Sequence, residues 1–353
     1  MTKSVRPRLL ALPALLGSLA LAACGDATGP TGPFDPEATA DVMQSMVAAT
    51  AGVEEAFAGM QLAAPALGTT TAADLLRGGE VVVLPDVGTS LRVAESAAFT
   101  PFFPSNFLGV TFVWDEASGS YVASDGSDAP ADGVRIVYYA IDPFTGEPAS
   151  PLNPLGYVEL RDLSTASSSR LGVLVKRTAG GEATLADYYI DLSYTTTQDQ
   201  LALRLESVGF LSNGTDQLNF DLTQDVVVTD SAIVLTQDFG IDLEGTDIGV
   251  RYEGELTAGL DGETAALDLT ATIENGADRV VLALNADAGV LTGSVAHNGA
   301  TVALIGGTPA APEFTDPDGN PLSEEDRADL QAVWESVNTL FELVEGIFAP
   351  AGG

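Results

Sequence analysis

Basic residues are scarce in this chain. Fourteen Lys plus Arg face 50 Asp plus Glu in 353 residues, for a formal net charge of −36. A body that acidic has no basic face for phosphates, which excludes nucleic acid as a partner. A single cysteine excludes an internal disulfide framework, and a single histidine excludes a multi-histidine metal site. No P-loop, dinucleotide fingerprint, nucleophile elbow or zinc motif is present, so the sequence predicts no enzyme. With 50 carboxylates a pair suited to glycoside hydrolysis can always be found, and therefore identifies nothing. What the chain does have is apolar surface. Hydrophobic residues make up 46 %, enough to build a core and too many for a disordered acidic tail.

The start of the chain is a delivery signal. Lys3, Arg6 and Arg8 precede the apolar stretch Leu9 to Ala20, which is shorter than the ~20 residues a membrane-spanning helix needs. It runs into Leu21-Ala22-Ala23-Cys24, and these four residues resemble the lipobox of bacterial lipoproteins. The resemblance implies removal of residues 1–23 and acylation of Cys24, the only thiol in the chain, by palmitate-type acyl chains. Two or three such chains, at about 0.8 kcal/mol per buried CH₂, give stable anchoring where one would not. Gly25, in place of the Asp that favours inner-membrane retention in the family's sorting rule, implies the outer membrane, with the body facing the periplasm or the cell surface. The acidic body itself is repelled by anionic headgroups, so the acyl chains alone must hold it there.

Residues 24–35 read as a lipidated flexible tether, rich in Gly, Thr and Pro, and 36–353 as one β-rich domain. Asp35-Pro36 is a helix start, with Asp as N-cap and Pro at the first helical position. Val42, Met43, Met46, Val47, Val53, Phe57 and Met60 then recur at three- and four-residue steps, predicting an amphipathic helix over 36–60.

From about 80 to 306 the period becomes two. Leu201, Leu203 and Leu205 alternate with polar residues, as do Leu218, Phe220 and Leu222. The pattern continues through Phe239, Ile241 and Leu243, then Ile248, Val250 and Tyr252, then Val280, Leu282 and Leu284. Asn213-Gly214, Glu244-Gly245, Asp261-Gly262, Asn275-Gly276 and Asn298-Gly299 separate these runs. Connections this short join antiparallel neighbours, so the pattern predicts a meander with one apolar and one acidic, solvated face. The Pro-rich stretch 143–154 interrupts it as a long loop.

A second amphipathic helix is predicted over 323–348. Ser323 caps it, Glu324, Glu325 and Asp326 fill its first turn, and Leu330, Val333, Trp334, Val337, Leu340, Phe341 and Val344 form its stripe. Such a stripe needs a matching surface, and a sheet of this many strands tends to curl. The expected fold is therefore mainly β: a large curled antiparallel meander of half-barrel or open-barrel type, packed on N- and C-terminal amphipathic helices. A transmembrane β-barrel shares the alternation, but it would end in a strand and carry aromatic girdles, whereas aromatics here are only 7 %.

Three places stand out as candidate sites. Asp316, Asp318 and Asn320 put oxygen ligands at alternate positions, as a calcium loop does, or else form a turn into the following helix. Pro321 stands where an EF-hand has glycine, and Arg327 where it has Glu. Six of the 24 aromatics, Phe99, Phe102, Phe103, Phe107, Phe112 and Trp114, crowd into 16 residues broken by two prolines. That run, with Phe57, Trp334 and Phe341, is either core or an apolar ligand or partner patch. His297, beside Asn298-Gly299, reads as an exposed hairpin residue. No cofactor is expected beyond the acyl chains on Cys24, with calcium the one option.

The functional expectation is an envelope lipoprotein with a structural or protein-interaction role. The alternative is a carrier or receptor of an apolar ligand or lipid, since anchor, curled sheet and enclosed helices together resemble the lipoprotein-carrier half-barrels of bacterial envelopes.

Overall fold

A computed structural model describes residues 46, 48, 54–67, 102–126, 128–165, 168–197, 200–260, 265–308 and 311–324. The signal segment 1–23, Cys24 and the tether lie outside these residues, as do Phe99, Trp334, Phe341 and all but the start of the predicted closing helix.

The described fold is mainly β. After helix α1 (Glu54–Ala63) and a 3-10 turn (Ala64–Leu67), fifteen strands follow. The first five are β1 (Val110–Asp115), β2 (Ser120–Ala123), β3 (Gly133–Tyr139), β4 (Pro154–Asp162) and β5 (Ser169–Arg177). The long strands are β6 (Ala183–Thr196), β7 (Gln200–Ser212), β8 (Gln217–Thr229), β9 (Ala232–Leu243), β10 (Ile248–Gly259) and β11 (Ala265–Asn275). The last four are β12 (Asp278–Asp287), β13 (Val290–His297), β14 (Ala300–Thr308) and β15 (Ala311–Thr315).

All fifteen belong to one sheet, and from β3 to β15 every strand lies beside its neighbour in sequence. Each of those pairs is antiparallel, as the short connections require. Only β1 departs, pairing parallel with β3 while β2 folds back antiparallel on its outer side. The sheet is not closed; β2 and β15 are its edges. β15 lies beyond 306, where the predicted strands end; it carries Pro312, which cannot donate to a ladder, and an edge strand is where a proline is tolerated.

Register places the apolar alternation of separate strands on one face. Leu222, Phe239, Tyr252, Ala271, Leu282, Val295 and Ala303 form one continuous row across β8 to β14, and every member is buried. Phe239 and Tyr252 stack within it, centroids 6.1 Å apart. A second, smaller cluster lies at the far end of the long strands, where Leu201 and Val228 pack with Leu203, Val226 and Ile233.

Part of the buried face is covered by α1, which packs against β2, β3 and β4. Ala56, Phe57, Gly59 and Ala63 are buried there. The described helix overlaps only the end of the predicted 36–60 and runs three residues past it; Met46, fully buried, and Ala48 are helical as well, and the rest of 36–53 lies outside the described residues. The Asn213 side-chain amide donates to the Ala48 carbonyl at 3.1 Å and so ties this segment to the β7–β8 turn. Ser323 precedes a helical Glu324, and Leu322 is buried before it, as a cap arrangement requires. The remainder of the predicted helix 323–348 lies outside the described residues.

Candidate functional site

The aromatic run at the head of the sheet is packed into the core. Phe103 and Phe112 are buried, as are Trp114 on β1 and Phe57 on α1. Phe102 and Phe107 are half-buried against the same cluster. Phe107 meets Phe112 edge-on at 5.6 Å, and Trp114 meets Tyr121 likewise at 5.6 Å across the β1–β2 hairpin. The Phe102 N–H donates to the Asp162 carboxylate at 3.0 Å, which fixes where the run crosses the end of β4. The structure thus gathers Phe57, Phe102, Phe103 and Phe107 into one body of contacts.

The Asp316 loop closes on itself. Asp316 Oδ1 accepts the backbone N–H groups of Asp318 (2.9 Å) and Asn320 (2.8 Å), while Oδ2 accepts the Asn320 side-chain amide (2.9 Å). These bonds hold the Asp316 carboxyl below the usual range, the Asn320 side chain contributing most. The turn therefore engages two of the three oxygen-bearing residues in its own hydrogen bonds.

His297 departs from its expected exposure. It is buried, with Nε2 3.3 Å from Asp278 Oδ1 and 3.1 Å from the Asn298 amide. Asp278 comes from β12, which the turn position alone could not reveal.

The face opposite the apolar one carries the charge, and there the strands line up ions. Arg251 on β10 reaches Asp238 on β9 at 2.8 Å, Glu253 at 3.8 Å and Asp221 on β8 at 4.0 Å. Arg279 on β12 meets Glu274 on β11 at 3.4 Å. A shallow groove of about 190 Å³ lies among them, lined by Gly240, Asp242, Gly249, Arg251, Glu253 and Glu274, with Thr270, Thr272 and Arg279 at its margin. The groove exists because Gly249 has no side chain; a Cβ there would come within 2.5 Å of Asp242 Oδ1. Burial raises the Asp242 carboxyl above its ordinary range, and repulsion from Asp221 and Glu274 adds to this against the pull of Arg251.

The remaining cations are also matched. Arg135 pairs with Glu159 and stacks on Tyr157, Arg170 pairs with Asp191 and stacks on Tyr189, and Arg161 holds Asp132 through two bonds. Arg204 bridges Glu206 and Asp225, and Lys176 lies 3.7 Å from Glu182. Among the described residues only Arg177 lacks a carboxylate partner, and it donates instead to the Asn213 carbonyl. The arrangement neutralises charge pairwise along the strands. The groove lining contains no histidine, cysteine or lysine, and its volume falls below the ~300 Å³ at which small-ligand pockets begin. No cluster of three or more metal-ligating side chains occurs among the described residues.

One feature escaped sequence reasoning. Phe144, in the Pro-rich loop between β3 and β4, is 95 % exposed. The sequence shows a Pro-Phe-Thr-Gly turn there, but burial is a property of the assembled fold. Comparison of the chain with protein-family models, with curated proteins and with solved structures finds no match.

Proposed function

We propose that the chain is a lipid-anchored envelope protein of the outer membrane with a structural or protein-interaction role and no catalytic site. On this reading acylated Cys24 holds the domain at the bilayer, and the large sheet curls around its apolar face. The amphipathic helices over 36–60 and 323–348 flank that face and fill it. The observation that carries the reading is the unbroken buried row from Leu222 to Ala303, whose members are exposed by 8 % or less. On this reading the side chains of that row interlock with those covering them at crystal-like density, with voids no larger than a few waters. The opposite face is consistent with it, since Arg204, Arg251 and Arg279 are paired there with carboxylates of the same chain.

A second reading, a carrier of an apolar ligand, has one observation in its favour. The Tyr188 hydroxyl on β6 is buried among apolar groups, with its ring 5.7 Å from that of Phe220, and has no hydrogen-bond partner among the described residues. The polar head of a bound lipid would satisfy such an atom.

Native mass spectrometry of the acylated protein from its own envelope, with titration by an environment-sensitive fatty acid, separates the two. Protein complexes without co-purified free lipid and without saturable probe binding support the scaffold. Stoichiometric probe binding that Tyr188→Phe weakens supports the carrier.

A further inference from the structure

We propose that the β3–β4 loop is a preformed docking knob whose anchor, Phe144, inserts into an apolar socket on a protein partner rimmed by basic residues; this rests on the protein-interaction reading above.

The loop spans residues 140–153, while the turns beside it at the same end of the sheet span 178–182, 213–216 and 244–247. Its length is not slack. Asp142 N–H donates to the Glu147 carbonyl at 2.9 Å, and Gly146 N–H to the Asp142 carbonyl at 2.8 Å. Ala149 N–H donates to the Ala140 carbonyl at 2.8 Å, and Ile141 and Pro148 form a β-bridge below the tip. At the tip itself, Asp142 Oδ1 accepts the Phe144 N–H at 2.8 Å. The backbone carrying the ring is therefore fixed by the loop's own bonds.

Among the described residues no other large hydrophobic side chain is as exposed as this ring. Among the large hydrophobic side chains described as exposed, Val290 follows at 56 %, and the others lie near 40 %. A partly exposed aliphatic group on a strand is ordinary. A phenyl group with 95 % of its surface in water on a hydrogen-bonded tip has the form of an interface anchor, because it brings a large apolar area to a socket while little ordering remains to be done.

Charge selects the socket. Asp142 and Glu147 lie on either side of Phe144 in the loop, and Asp216, Glu244 and Asp247 occupy turns at the same end of the sheet, where Lys176 and Arg177 are engaged by Glu182 and by the Asn213 carbonyl. None of these connections contains Lys or Arg. An anionic membrane surface is repelled by that rim, whereas a protein pocket edged by Lys or Arg is attracted and steered to it.

The test places benzoylphenylalanine at position 144 in the full acylated protein, with Val290→benzoylphenylalanine at the opposite end of the sheet as control, and irradiates intact cells. The expected result is an adduct of one protein at 144 and none at 290, mapped to an apolar segment flanked by Lys or Arg. Purified partner should bind Phe144→Ala about 10- to 100-fold more weakly, with unchanged melting temperature, and Phe144→Tyr nearly as well as the parent. Charge reversal at Asp142 and Glu147 should slow association and flatten its salt dependence. Adducts to lipid, adducts to a second copy, no adduct, or equal affinity of Phe144→Ala each overturn the proposal. If the protein still isolates in a stable complex that Phe144→Ala leaves intact, only the anchor fails; if it isolates with lipid and no protein, the interaction reading fails as well.

Discussion

Gly59 of α1 lies against Tyr138 of β3 so closely that a methyl group on the glycine would sit 2.7 Å from the tyrosine Cβ. The Tyr121 hydroxyl, which donates to the Val137 carbonyl at 2.8 Å, closes the same contact from β2. The helix is thus seated on the sheet through one missing side chain. Gly59→Ala would raise helix propensity, but the methyl would meet strand backbone and a buried Cβ that cannot swing away. Overpacking of this kind costs about 1–3 kcal/mol, more than the roughly 1 kcal/mol gained by replacing glycine in a helix. A lower urea midpoint for Gly59→Ala is expected, and a lower one again for Gly59→Val. An unchanged midpoint would mean that α1 can ride up without loss.

The turn joining β12 to β13 offers a change in the opposite direction. Ala288 holds a left-handed backbone, φ +48°, followed by Gly289 at +82°, while the next hairpin uses Asn298-Gly299 for the same purpose. Alanine has no side-chain hydrogen bond to offset that conformation. Ala288→Asn should raise stability by about 0.5–1 kcal/mol, read as a small increase in melting temperature.

Asp242 makes stability depend on pH in an identifiable sense. Its carboxyl titrates above the ordinary range in the folded state because burial, Asp221 and Glu274 all oppose its charge. The group therefore favours folding below the ordinary carboxylate range, and that contribution is lost as pH rises through the raised folded value. Asp242→Asn should melt higher than the parent at pH 7. The difference should shrink to nothing only well below the ordinary value of 3.8, where the parent carboxyl is protonated in both the folded and the unfolded state. A gap that stays constant down to that range would point to altered packing over Gly249 instead.

The anchor has a direct chemical reading. Cys24→Ser removes the sole thiol, so the protein should shift from the membrane fraction to the soluble one or accumulate with residues 1–23 attached. Intact mass of the parent extracted from membranes should exceed the polypeptide beginning at Cys24 by its acyl groups. A mature start elsewhere, or an unmodified thiol, ends the lipoprotein reading.

The strand parity of β7 to β12 was legible because the apolar residues of these runs recur at every second position and turn residues separate the runs. Ile248, Val250 and Tyr252 fall opposite Leu243, Ile241 and Phe239, as their shared periodicity implies. What local patterns could not carry was contact between segments far apart in sequence. The parallel pairing of β1 with β3 follows no turn signal, and the burial of His297 depends on Asp278 in the preceding strand. The aromatic run before β1 was visible as an outlier, yet its placement against α1 is a tertiary fact. Phe144 shows the same limit in reverse, since nothing in Pro-Phe-Thr-Gly says that the assembled fold leaves the ring exposed.

From β3 onward the order of strands across the sheet is the order in which the chain is made. Each new strand needs only the one before it, so assembly can proceed like a zipper from the amino-terminal side, every step after β4 closing a short loop. Such growth always leaves its newest strand with an unsatisfied edge, the feature that invites a neighbouring chain to join on. Among the described strands β15 is the last, with five residues, one of them a proline that offers no N–H. That strand is built as a terminator, and lengthening it or replacing Pro312 would extend an invitation that the natural sequence withdraws.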